Sequence, residues 1–203
     1  MIGTAFSQRL ALPASPKIQS RQSRTVERIL AESARLFLQR GFDNSSVEDI
    51  IQAAEIGRSS FYRFFANREE VLAGITRPVF ERGIAFMDGL SGLTPIQIMD
   101  GLVDMYLDLW HQSQDALRLS TGMGGPYFRL FKDVHDTYRA RLAALVETAA
   151  GGDILLNDSG EFTARLIART AVSVLEIYKA DEQFEQLFRR TMRGLLLKPG
   201  VTS

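Results

Sequence analysis

The sequence predicts an all-α protein of about nine helices, with a three-helix head on a larger helical body. Three observations carry this. From Ser23 onward apolar residues recur at helical spacing. No stretch alternates convincingly with period two, and Asn-Gly hairpin turns are missing. Gly41, Gly92, Gly122 to Pro126 and Gly151-Gly152 punctuate the apolar runs as helix breakers do. The chain has 203 residues, 45% hydrophobic and 24% charged, enough to bury a sizeable core.

Residues 1–22 are Ser-, Gln- and Pro-containing without apolar period, and are expected to form a flexible arm. A first helix is expected from Arg24 to Arg40, capped by Ser23 and ended by Gly41, with Ile29, Leu30, Ala34, Phe37 and Leu38 inward. A second begins near Val47, where Ser45 followed by Glu48 reads as a capping box; Val47, Ile50, Ile51 and Ala54 supply its apolar face. After Ala54-Glu55-Ile56-Gly57 a third runs from Arg58 to Phe65. Asn67 caps a fourth, with Glu69 and Glu70 in the first turn and Pro78 expected to kink it. Further helices are expected near 94–112, 114–121, 126–149, 158–179 and 181–196. The domain reading is an arm over 1–22, a three-helix head with a helix-turn-helix arrangement over 23–66 and a body over 67–203.

Charge is balanced, 24 basic against 24 acidic residues, which argues against nonspecific DNA packaging. The balance runs from +3 over residues 1–22 to −3 over 78–203, as for a head that meets polyanion and a body that does not. There is no cysteine, so disulfides and thiolate chemistry are excluded. No apolar run approaches the ~20 residues that span a bilayer, and no secretory leader pattern is present. A cytoplasmic protein with neither cofactor nor metal is expected.

The informative segment is SVEDIIQAAEIGRSSFYRFFANREEV, residues 46–71. Two short helices around a tight turn hold the second helix free for a DNA major groove. At about 100° per residue, Phe61 and Phe65 lie on one side of the third helix. Ser59, Tyr62 and Arg63 lie on the other, flanked by Arg58 and Ser60. Core packing gives no reason for that polar face. Guanidinium, hydroxyl and phenol groups are the ones that meet phosphates and base edges.

Residues 24–71 resemble the DNA-binding head of the TetR family of bacterial regulators. The likeness rests on ARLFLQRGF (34–42), SSVEDIIQAAEIG (45–57) and RSSFYRFFANREEVL (58–72). It implies that Arg58, Ser59 and Ser60 approach base edges or nearby phosphates, and that Tyr62 and Arg63 contact backbone. It also implies that Ser45 and Arg68 hold phosphates at two other helix N-termini, with Thr25 a further phosphate candidate. Three positions depart from the family pattern: Ile51 for a small Ala, Glu55 for a Gly in the turn, and Gly57 for a Ser/Thr cap. The first implies wider helix spacing, the second a strained turn, the third a lost side-chain contact.

One recognition helix reads few base pairs, so a homodimer on a palindromic operator is expected. Candidate interface residues are Phe162, Leu166, Val172 and Leu175 on one late helix and Phe184, Leu187 and Phe188 on the other. Candidate effector-binding residues are Asp104, Met105, Asp108, Trp110, His111, Met123, Tyr127 and Phe131, with a mobile loop around Met123. The resemblance implies a repressor released by a small molecule. The competing reading is an all-helical enzyme or carrier using the Asp100/Asp104/Asp108/His111 stripe. Against it, no catalytic or metal motif occurs around the two histidines, His111 and His135.

Overall fold

The computed structural model describes residues 16–122 and 125–201. Nine α-helices and one 3-10 turn make up the described chain. They are α1 (Pro16–Arg40), α2 (Val47–Ala53), α3 (Arg58–Phe64), α4 (Arg68–Asp88), α5 (Pro95–Gln112), α6 (Gln114–Gly122), the turn Gly125–Leu130, α7 (Lys132–Ala150), α8 (Gly160–Tyr178) and α9 (Phe184–Leu196). Among the described residues the only non-helical pairing noted is an antiparallel bridge between Leu155 and Leu197. The chain divides into two compact units, one up to Pro78 with Arg118–Lys132, the other Val79–Leu117 with the residues from Asp133 on.

The first unit contains α1 to α3. Helix α1 begins at Pro16, not at the expected Ser23, so residues 16–22 of the expected arm are helical; residues 1–15 lie outside the described chain. A proline fits a first helical turn because its missing N–H would have no partner there. Ser23 is mid-helix, its hydroxyl donating to Glu27 at 2.8 Å. The α1 stripe is Val26, Ile29, Ala34, Leu36 and Phe37, all buried, while Leu30 and Leu38 sit at its margin. Gly41, at φ +82°, ends the helix as expected, its N–H bonded to the Phe37 carbonyl. Asn67 caps α4 by accepting the Glu70 N–H at 2.8 Å, and the helix runs through Pro78 without ending.

The second unit is built around α5. Thr94 and Gln97 form its capping box, with Pro95 in the first turn. Nine of its residues are buried, Ile98, Leu102, Met105, Tyr106 and Trp110 among them. Helices α8 and α9 pack on each other and on α5. The expected helix over 126–149 is divided: the 3-10 turn closes with Phe131 N–H on the Phe128 carbonyl, and α7 starts at Lys132. Phe131, directly after the turn, is fully buried.

The carboxylate stripe of α5 is not an open binding wall. Asp104 accepts from Arg189 at 2.8 Å, Asp100 pairs with Arg193, and His111 Nε2 stands 3.0 Å from Glu185, all on α9. Asp108 holds Arg82 of α4 through two bonds of 2.6 and 2.8 Å. The Arg82 hydrogen bond holds the Asp108 carboxyl below its ordinary value. Three acids spaced four apart, with His111 three residues beyond the last, thus fasten α9 and α4 to α5. Half-exposed pairs of this kind contribute about 0.2–1 kcal/mol each.

Candidate nucleic-acid interface

The α2–turn–α3 segment shows how a seven-residue helix is held in place. Helix α2 is capped by Ser46, which accepts the Asp49 N–H while Asp49 accepts the Ser46 N–H at 2.8 Å. That box is shifted by one residue from the expected Ser45–Glu48. Ser45 is only 1% exposed and its hydroxyl donates to the Gly41 carbonyl, so it faces the core and presents nothing outward. Two hydrogen bonds from Ser46 to its carboxyl hold Asp49 below the usual carboxylate range. On α2 Ile50 is fully buried and Ala54 follows it inward, whereas Val47 and Ile51 are half-exposed. Ile51 therefore lies at the margin of the packed face.

The turn itself carries strain. Glu55 adopts φ +49°, the left-handed region in which a side chain crowds the following carbonyl. The residue departing from the expected Gly is the one forced there. Glu55→Gly is expected to stabilise the protein by about 0.5–1 kcal/mol, strain release exceeding the added freedom of the unfolded chain. Urea denaturation of the two proteins checks this; equal midpoints would show the turn to be relaxed. Gly57 caps α3 with its carbonyl, which accepts the Ser60 and Phe61 N–H groups at 2.9 and 3.2 Å. No side chain caps that end, as expected of glycine there.

Helix α3 sorts its residues by face. Phe61 and Phe65 are fully buried and Phe64 is 4% exposed. Phe64 was not expected inward, though it lies three residues after Phe61 and so shares its face. Phe65 lies just beyond the helix with extended backbone, yet its ring still packs 6.0 Å from that of Phe61. Arg58, Ser59, Tyr62 and Arg63 are exposed, and Ser60 is half-buried. Arg58 stands 5.8 Å above the Tyr62 ring and 3.1 Å from Glu48 of α2. The expected outward trio and both expected inward rings therefore lie where the helical projection puts them.

Two other expected phosphate contacts sit differently. The Arg68 guanidinium donates to the carbonyls of Phe42, Asp43 and Ser45 at 2.9, 3.2 and 2.8 Å and lies 4.5 Å above the Phe42 ring. All three bonds leave from Nη1, which ties the α1–α2 loop to the start of α4, while Nε stands 3.5 Å from Glu69. Thr25 is half-buried and donates back to the Arg21 carbonyl at 2.9 Å. An open groove between the N-termini of α2 and α4 is lined by Ser46, Glu48, Asp49, Tyr62, Asn67 and Arg68 among others. The sequence expectation passed over Ser46 as the cap, although Ser46-x-x-Asp49 is itself a legible cap pattern.

The expected effector residues are divided between the two units. Asp104, Asp108 and His111 are spent in the pairs described above. Met105 and Trp110 are buried in the second unit, whereas Tyr127 and Phe131 belong to the first. Tyr127 bonds to Asp43, and its ring packs edge-on against Phe42 at 4.5 Å. Met123 lies outside the described residues. Of the expected dimer residues, Leu175 and Phe188 are fully buried within the protomer and cannot face a partner. Phe162 is 58% exposed, and Leu166, Val172, Phe184 and Leu187 are half-buried.

Residues 29–75 match the family model described as bacterial regulatory proteins, tetR family. The chain is 32% identical to the HTH-type transcriptional regulator TcmR of Streptomyces glaucescens over 91 residues, 44% of this chain and 40% of TcmR's length. It is 26% identical to the HTH-type transcriptional regulator UidR of Escherichia coli over 192 residues, 88% of this chain and 96% of UidR. The fold is similar to that of the transcriptional regulator FadR of Bacillus subtilis, solved in complex with stearoyl-CoA. That structure has TM-score 0.63 and 14% identity, covering 87% of this chain and 99% of that one.

Proposed function

On the match of residues 29–75 to the tetR family model, we propose that the chain is a TetR-family transcription regulator, a homodimeric repressor released from a palindromic operator by a small molecule. The observation that carries the reading is the sorting of α3: three phenylalanines inward, Ser59, Tyr62 and Arg63 outward. In this reading Arg58 and Ser59 meet base edges, with Ser60 beside them. Tyr62 and Arg63 bind the backbone, and Ser46 takes the place expected of Ser45. Arg58 leaves Glu48 for DNA, and Glu48, Asp49 and Glu69 repel duplex that is not seated in register.

The outer faces of α8 and α9 support self-association. Phe162, Ile177 and Leu195 are 58%, 73% and 37% exposed, costly in water for a lone protomer. Leu166, one turn after Phe162, and Leu187 are half-exposed, whereas Leu175 and Phe188 are buried in the protomer core. A dimer places two recognition helices about 34–36 Å apart, one turn of DNA. An effector that binds better to the other spacing releases the operator. FadR, solved with stearoyl-CoA, supports effector response in this fold. No described helix is long and apolar enough to cross a membrane, which accords with a cytoplasmic site of action. The enzyme alternative loses its best support, because the stripe it would use is tied up in ion pairs.

Selection of bound fragments from genomic DNA, followed by band shift, tests the reading. Arg63→Ala is expected to weaken operator binding about tenfold or more across the dimer, and to lower the salt slope by about one per lost phosphate contact. Unchanged affinity and slope would remove Arg63 from the interface, and no retained fragment would remove the regulator reading.

A further inference from the structure

Two tyrosines face each other inside the second unit. Tyr106 of α5 is 3% exposed and Tyr138 of α7 is 7% exposed. The Tyr138 hydroxyl donates to that of Tyr106 at 3.1 Å. Among the described residues that is the only hydrogen bond either hydroxyl makes. Two hydroxyls carry two protons, and the bond between them uses one. A buried donor left without an acceptor is expensive, so one proton waits for an acceptor that the chain does not supply. Desolvation pushes both phenols above their ordinary value, so both remain protonated donors at neutral pH.

The surroundings state what kind of acceptor fits. The Phe80 ring lies edge-on to Tyr138 at 5.6 Å. Gly83 of α4 opens the space that Tyr138 occupies: a Cβ there would stand 2.6 Å from the tyrosine ring and 3.7 Å from the Met105 sulfur. Met105 and Met87, the latter one turn beyond Gly83, are buried, and methionine repacks readily around a guest. No charged side chain is among the buried residues described. The acids of α5 are already engaged with arginines. A charged guest group would enter this core without a counterion, at large desolvation cost.

We propose that the Tyr106–Tyr138 pair is the polar recognition point of the effector site, and that the effector is a neutral, largely apolar molecule presenting one hydrogen-bond acceptor such as a ketone or ether oxygen. This rests on the ligand-responsive reading above and names the chemistry of that site. The acceptor takes the free phenolic proton while the apolar remainder displaces methionine side chains. A shift of the Tyr138 ring then presses on α4 at Gly83, the helix that begins directly after α3.

Three probes of one shape test it: benzophenone, with a ketone; diphenylmethane, without an acceptor; and 4-benzoylbenzoate, with a carboxylate. Their binding is measured by calorimetry on the full native chain and on Y106F/Y138F. Replacing both partners of a hydrogen bond by apolar rings of the same shape is nearly neutral for stability, so the double variant folds. Its shift of a DNA fragment bound by the native chain verifies that. The native chain is expected to bind benzophenone about tenfold more tightly than diphenylmethane, and 4-benzoylbenzoate more weakly than benzophenone. The double variant is expected to bind benzophenone and diphenylmethane alike and to retain the DNA shift. Equal affinities in the native chain, no binding of any probe, or a ketone preference surviving in the double variant would each overturn the proposal. The regulator reading is decided separately, by whether the native chain shifts DNA at all.

Discussion

Phe61→Ala is expected to cost about 4 kcal/mol of folding stability and to abolish operator binding. The ring is fully buried, 5.3 Å from Tyr62 and 6.0 Å from Phe65. Removing it loses the transfer energy of a benzyl group and leaves a cavity that short helices cannot close. The functional loss follows from helix length. Seven residues make fewer than two turns, far below the length at which a helix stands alone in water. The orientation of α3 therefore comes from its aromatic anchors. Guanidinium denaturation of the variant, read beside a band shift, measures both effects. A loss below about 1 kcal/mol would mean that the neighbouring rings close the gap and α3 is held by something else. Tyr62→Ala is the contrast, because its ring is 44% exposed: stability stays nearly constant while DNA affinity falls.

Arg68→Ala is expected to cost about 3 kcal/mol, comparable to breaking a partly buried hydrogen-bonded charge network. One guanidinium satisfies three carbonyls of the α1–α2 loop and stacks on Phe42. Its loss frees those carbonyls and the loop that precedes α2. The same variant separates two roles for this side chain. If Arg68 fastens the loop, melting temperature drops by several degrees and the salt slope of DNA binding is unchanged. If it holds a phosphate instead, stability is retained and the slope falls by about one per protomer. The geometry predicts the first outcome.

Much of the head was legible because its signals are local. The Phe61/Phe65 spacing and the polar residues between them specify which face of α3 meets the core. Gly41, Asn67 and the turn 54–57 mark helix ends through backbone chemistry that needs no distant partner. Even the strain at Glu55 was readable, as a side chain in a turn suited to glycine. Errors arose where a side chain chose between a local and a distant partner. Ser45 and Ser46 both suit a cap; the fold buries one and leaves the other free to cap. For Arg68 the sequence did not show the loop carbonyls, 23 to 26 residues away, that its Nη1 meets.

The body shows the same division more sharply. Apolar periodicity located α8 and α9 but could not say which apolar side chains face inward, so Leu175 and Phe188 were grouped with Phe162. The acidic stripe of α5 looked open only because Arg82, Arg189 and Arg193 stand far away in sequence. By itself the sequence determined an all-helical chain, the ends of most of its helices and the two faces of the recognition helix, since these follow from backbone hydrogen bonding and from spacing within one turn. The tertiary structure alone decided which charges are spent, which apolar surfaces remain for a second protomer and which hydroxyls meet in the core. Those depend on partners that only packing brings within a few ångströms, where hydrogen bonds and ion pairs begin to act.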